Sequence, residues 1–471
     1  MKSKKLLALF AGALAILPLA ACNGGQTPTA STEPASQTTP TATTAATKVM
    51  SYSEFAAARD GEEVTIEAYV TGKQSWWSNK ATIYLQDDNG GYFVYELGCT
   101  QEQYNTDLAV GNKIQVTGEK GSYAGQAEVF GSQSGAEATW KKVEGTKTYT
   151  ATKLNKLADM KTHPNMYVEL DVTVAANPTV DPKRDNIYYD VTDGENVYTF
   201  CVETYLTSKT TDVYTTVSNF KKGDKVTVSG FAYTYYEPQL HTTGATNSGT
   251  NVFTKSAGVM THEEFNAAEV GTECTLEAFV VAKYAYSSWG NTTVYLTDAE
   301  GGYFFYRVPC TQAQYDTIKV GEKLKITGTK SVWSGEVEVD ASQSGAEGTF
   351  EVIPGDKFLA NPLDLDVFIT DEETLMAHNN ELVSFTGLRV VKIDLPTSEG
   401  GDIYYDVEYS PETGETVTYT FCVESDLCSK DTDVYKAALA LQVEDVINVT
   451  GFMYIYNKPQ LHTMTLVKQS A

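Results

Sequence analysis

Positive charge is scarce. The chain carries 35 lysines and arginines against 61 aspartates and glutamates, a formal net charge of −26. Nucleic-acid binders draw affinity from cationic neutralisation of phosphates, so this balance disfavours general nucleic-acid binding and leaves it only local basic patches. Histidine is rarer still, with five scattered copies. The seven cysteines show neither CxxC nor Cys/His metal spacing. There is no HExxH, phosphate loop, GxSxG elbow or kinase set. The stretches DDNGG from Asp87 and DAEGG from Asp298 offer too few regularly spaced oxygens for a calcium loop. No carboxylate pair stands out for glycoside hydrolysis. The expectation is therefore a protein that is not an enzyme and uses no cofactor or metal.

Long apolar runs are missing except at the N-terminus. There Lys2, Lys4 and Lys5 precede LLALFAGALAILPLA, an apolar run short for a membrane span, and the stretch ends Leu19-Ala20-Ala21-Cys22. Residues 22–48 are rich in Thr, Ala and Pro, cannot bury a core, and read as a disordered linker.

The order of charge, apolar run, small residues and cysteine resembles the lipobox of bacterial exported lipoproteins. The resemblance implies a signal peptide over 1–21 and lipidation of Cys22. It also implies a mature chain anchored through that lipid to a membrane of the bacterial cell envelope.

Beyond the linker the chain repeats itself. VMSYSEFAAARDGEEVTIEAYV from Val49 is echoed by VMTHEEFNAAEVGTECTLEAFV from Val259. A second kind of unit carries IYYDV, YTFCVE and PQLHT twice. The order is A-B-A′-B′, with approximate units 49–146, 147–255, 256–356 and 357–471.

In unit A, Ser51 with Glu54 and Thr100 with Gln103 have capping-box spacing. Val64, Ile66, Ala68 and Val70 alternate with Thr65, Glu67 and Tyr69, predicting a strand with one buried face. A hairpin follows around Asn89-Gly90-Gly91, then a short helix, then two strands turning at Ser122-Tyr123-Ala124-Gly125. Three strands, a helix and two strands resemble the OB fold, a five-stranded partly open barrel. The expected fold is mainly β, with four tandem OB-fold-like barrels carrying short helices. Immunoglobulin-like sandwiches are the alternative and explain the recurrent helix less well. Cys99, Cys201, Cys274, Cys310 and Cys422 read as buried thiols; a Cys422–Cys428 disulfide stays open.

The informative residues are aromatic. Tyrosine numbers 30, and several rings fall in loops. In A these are Trp76 and Trp77 in KQSWWSNK and Tyr123 in the last turn; in A′ they are Tyr284, Tyr286, Trp289 and Trp333. In an OB fold those two loops flank the binding face. Tyr84 and Tyr295 join the set if Ile83 and Val294 point inward. Rings of this kind stack on sugars or bases or enter a protein partner. Lys73, Lys283, Lys120 and Lys330 open the same loops and describe a cationic rim. His241 and His462, matched in PQLHT, are expected to be structural.

The reading is a non-catalytic, lipid-anchored surface protein that binds an extracellular glycan or protein through aromatic loop clefts. The alternatives are nucleic-acid binding by the OB-like domains and a structural spacer or scaffold.

Overall fold

A computed structural model describes residues 48–131, 137–411 and 414–469. Cys22, the signal segment and all of the linker but Lys48 lie outside the described residues, as does most of the first SQSGAE. Val49–Ala471 forms one compact unit.

Unit A consists of α1 (Tyr52–Ala57), β1 (Glu63–Lys73), β2 (Lys80–Gln86), β3 (Gly91–Gly98), α2 (Gln101–Thr106), β4 (Asn112–Tyr123), β5 (Gln126–Phe130) and β6 (Thr139–Thr146). The strand order is β1-β2-β3-β5-β4, and β1 also pairs with β4, which closes the barrel. The one parallel ladder within it joins β3 to β5, with Val94 opposite Val129. Among the described residues closure leaves β6 as the one added edge, on β4. A closed five-stranded ring with a helix between the third and fourth strands is the OB arrangement, not a sandwich. The other three units have the same first-to-fourth pairing, through Tyr167–Val174 with Asp224–Tyr235, Glu273–Lys283 with Lys323–Trp333, and Leu382–Asp394 with Val446–Ile455.

Local chemistry explains the elements. The capping boxes form at Ser51/Glu54 and Thr100/Gln103, and again at Thr261/Glu264 and Thr311/Gln314. Each satisfies orphan N–H groups at a helix start. Val64, Ile66, Ala68 and Val70 are fully buried in the barrel of A. β6 escaped the sequence reading because TWKKVEGT presents almost no apolar face. The cysteines other than Cys22 are buried free thiols, and Cys422 and Cys428 are not bridged.

The barrels associate through a repeated seam. A packs on B and A′ packs on B′ with matched residues. Gly91 and Gly302 permit the approach. A Cβ on either would lie within 2.3 Å of the Asn165 or Asn380 backbone. B meets A′ through Phe253 and Phe279, with Phe358 from the start of B′ packed against both, and Lys255 pairs with Asp298 at 2.8 Å.

Candidate functional site

The outward face of β2–β3 is where an OB barrel offers its binding surface. Tyr84 does point out of the barrel, yet it is 0 % exposed. Barrel B covers it. Phe231 of the Asp224–Tyr235 strand stacks on Tyr84 with centroids 4.1 Å apart and planes within 9°. The Tyr84 hydroxyl lies 2.7 Å from His241 Nδ1. His241 in turn stacks on Tyr233, and its Nε2 lies 3.3 Å from Gln239 Oε1. That pair assigns the ring proton to Nε2 and makes Nδ1 the acceptor of the Tyr84 hydroxyl. Burial drives the His241 pKa down to about 3, so the imidazole is neutral.

The second pair repeats the arrangement. Tyr295 is 0 % exposed, stacks on Phe452 at 3.8 Å, and meets His462 Nδ1 at 2.9 Å. The expectation that Tyr84 and Tyr295 line an open ligand face is thus corrected. Each does leave its own core, but the neighbouring barrel fills the face it enters.

The first loop of A also serves the seam. Gln74 Nε2 donates to Glu203 Oε2 at 2.7 Å, and Ser75 N–H donates to the Tyr205 carbonyl at 2.7 Å. In A′ the same two places are Tyr284, whose hydroxyl donates to Glu424, and Ala285, whose N–H donates to the Asp426 carbonyl at 2.7 Å. Tyr284 is therefore buried and also leaves the ligand set. Burial pushes Glu203 and Glu424 up to about 7.

Trp76 and Tyr286 close barrel ends. Trp76 Nε1–H donates to the Cys99 carbonyl at 3.0 Å, and the Tyr286 hydroxyl donates to the Cys310 carbonyl at 3.1 Å. Trp76 packs against the core of A. Both rings are half-buried and serve the barrels rather than a cleft.

Four of the singled-out rings stay open. Trp77 is 51 % exposed. It begins a tight turn in which Trp77 and Lys80 exchange backbone hydrogen bonds while Ser78 and Asn79 take positive φ, the pattern of a type I′ hairpin. Lys80 lies over its ring at 5.2 Å. Trp289 is 88 % exposed at the tip of the A′ loop, which is one residue longer. Tyr123 and Trp333 flank the β4–β5 turn and its A′ counterpart. Tyr123 neighbours Tyr235, which meets Tyr236, and Trp333 neighbours Tyr456 at 5.3 Å. Backbone bonds tie these turns across the seam, from Tyr236 N–H to Ala124 O and from Asn457 N–H to Ser334 O, each 2.6 Å. Each barrel pair thus presents an aromatic rim where two turns meet.

The cationic rim expected from four lysines does not form. Lys120 is buried and donates to the Ala56 and Ala58 carbonyls, and Lys330 does the same to Asn266 and Ala268. These lysines cap the C-terminal end of the first helix of each unit. Lys73 and Lys283 lie over Tyr104 and Tyr315 at 3.7 and 3.5 Å and bond to the carbonyls of the same tyrosines.

The sequence reading missed Phe231, Phe452, Glu203, Glu424 and the opposed Gln126 and Glu336. Their signal was present, because all but Gln126 and Glu336 lie in the twice-occurring YTFCVE or in the matched Gly-Phe-x-Tyr stretches at 230–233 and 451–454. Among the described residues no group of three or more His, Cys, Asp or Glu is placed to hold a metal, and no helix is long and apolar enough to cross a membrane.

No family model matches the chain, and no curated protein matches it. Solved structures do match. One described as murine DNA binding protein bound with ds DNA is 12 % identical, covering 40 % of this chain and 97 % of that one, with a TM-score of 0.23. The Ifi202 HINa domain in complex with 20bp dsDNA is 13 % identical over 41 % of this chain and 98 % of that one, TM-score 0.21. A Replication Protein A heterotrimer bound to ssDNA is 10 % identical over 64 % and 94 %, TM-score 0.16. These are likenesses of fold alone. The assignment of OB-like barrels rests on the strand order of this chain.

Proposed function

We propose that the mature chain is a non-catalytic binding protein of the bacterial cell envelope, attached to a membrane by lipid on Cys22. It contacts an extracellular glycan or protein through the rings at its loop tips and seam rims. The observation that carries this reading is the set of solvent-facing Trp77, Trp289 and Trp333 on an acidic body. Exposed Trp and Tyr rings offer flat apolar area at low entropic cost, with a polar handle. The anchor is supported by the ordered signal features before Cys22.

The test is a glycan array and a surface-protein pull-down with the soluble mature chain. Trp77→Ala, Trp289→Ala and Trp333→Ala should each leave the unfolding free energy within about 0.5 kcal/mol of wild type, as surface changes do. At least one should weaken binding roughly tenfold or more, as loss of an aromatic hot spot does. Unchanged capture of every partner by the triple variant would favour a spacer and overturn this reading.

Nucleic acid is the second reading. The solved structures above are named for DNA, and Arg184 acts electrostatically on Tyr123 at the first rim. Positive charge near open rings favours single-stranded nucleic acid, whose bases stack on such rings. The net charge of −26 and the capture of Lys120 and Lys330 inside the fold weigh against it. A gel shift with single-stranded oligonucleotides at low salt supports it if present and removes it if absent.

A further inference from the structure

One buried position of the seam holds an amide in the first pair and a carboxyl in the second. In the first pair Gln126 uses both ends of its amide. Its Oε1 accepts the Thr234 N–H at 2.9 Å, and its Nε2 donates to Asn165 Oδ1. In the second pair the same strand position holds Glu336, fully buried. Its Oε2 accepts the Ile455 N–H at 2.8 Å and the Asn379 Nδ2–H at 2.9 Å. Its Oε1 is buried without a hydrogen-bond partner among the described residues, and so is Asn380 Oδ1, on the counterpart of Asn165. The Asn380 amide is held in place, since Nδ2 donates to the Val337 carbonyl at 2.9 Å and to Asn379 Oδ1. Turning it would set Oδ1 against that carbonyl. Two buried acceptors are left, on the counterparts of two groups that bond to each other in the first pair, and a buried unsatisfied acceptor costs about 1–3 kcal/mol. One proton satisfies both.

We infer that Glu336 is held as the neutral acid, its Oε1–H donating to Asn380 Oδ1 as Gln126 donates to Asn165. At this position the A′–B′ seam is then a proton-dependent contact that weakens as pH rises, and the A–B seam, with Gln126 there, lacks that contribution. Hydrogen bonding from the Ile455 N–H and from the Asn379 and Asn380 amides favours the carboxylate, and burial outweighs it. Glu338 on the same strand adds a like charge, Tyr295 faces Glu336 from the A′ sheet, and Tyr454 faces it from the B′ hairpin. Burial is the largest cause raising its pKa, which reaches about 8.

The sign follows from proton counting. The unfolded carboxyl ionises near 4.5 and the folded one near 8, so the folded state binds the extra proton between those values. Stability from this group is full below the lower value and is lost as pH rises through the window.

The test compares denaturant unfolding of the mature chain and Glu336→Gln at pH 5, 6, 7 and 8. The variant should gain on wild type by up to about tenfold in the folding equilibrium per pH unit across that range. The mirror change Gln126→Glu should confer the same pH dependence on the first pair. Infrared difference spectra between neutral and alkaline pH should show a protonated-carboxyl band lost in wild type and smaller in Glu336→Gln, where only the other raised carboxyls contribute. An offset between wild type and Glu336→Gln that is constant with pH, or an undiminished band in the variant, overturns the inference.

Discussion

Tyr84 shows why a residue's direction is not its exposure. Alternation along β2 places it on the outer face, and that much follows from a period of two. Nothing in the local sequence says that Phe231, almost 150 positions later, stacks on it. Stacked rings of this kind contribute about 0.5–1.5 kcal/mol beyond their area. The hydroxyl–imidazole bond is the more specific part. Tyr84→Phe strands His241 Nδ1 without its donor and should cost about 1–3 kcal/mol in thermal or denaturant unfolding. Below about pH 7 Tyr295→Phe should cost less, because the Glu424 carboxyl, 3.1 Å from His462 Nδ1, is then protonated and can donate in place of the lost hydroxyl, whereas Glu203 lies 3.7 Å from His241 Nδ1. Equal losses would mean that the carboxyl lends no support. The candidate rings divide by the same logic. Trp77 and Trp289 are legible as loop-tip residues, while Trp76 and Tyr286 turn back to a carbonyl that the sequence does not locate.

At the scale of elements, helix starts were legible because a capping box is a four-residue code. Helix ends were not, because the group that caps them comes from another strand. Lys120 reaches Ala56 and Ala58 from β4, more than sixty positions along the chain. Lys120→Met keeps the apolar stem and removes the donor. It should destabilise barrel A by about 1–3 kcal/mol, and Lys330→Met should do the same in A′. A melting temperature unchanged in both variants would show that water caps these carbonyls equally well. Strands with an apolar face were read correctly, and the polar β6 was missed because its pairing with β4, not its own pattern, makes it a strand.

For the whole molecule, the duplication was the most legible feature and the barrel pairing the least. Repeats are visible because they compare the chain with itself. The seam is visible only when two units are set face to face. It then explains why both unit types keep aromatic residues on the outside of their sheets, and it moves the open binding surface to loop tips and seam rims. The central claim is that the outer faces of A and A′ are closed by B and B′. Hydroxyl-radical footprinting of the mature chain, read by mass spectrometry, tests it most directly. Trp77, Trp289 and Trp333 should oxidise quickly, while Tyr84 and Tyr295 stay protected until the chain unfolds. Oxidation of Tyr84 and Tyr295 in the native protein at the rate of the exposed rings would contradict it.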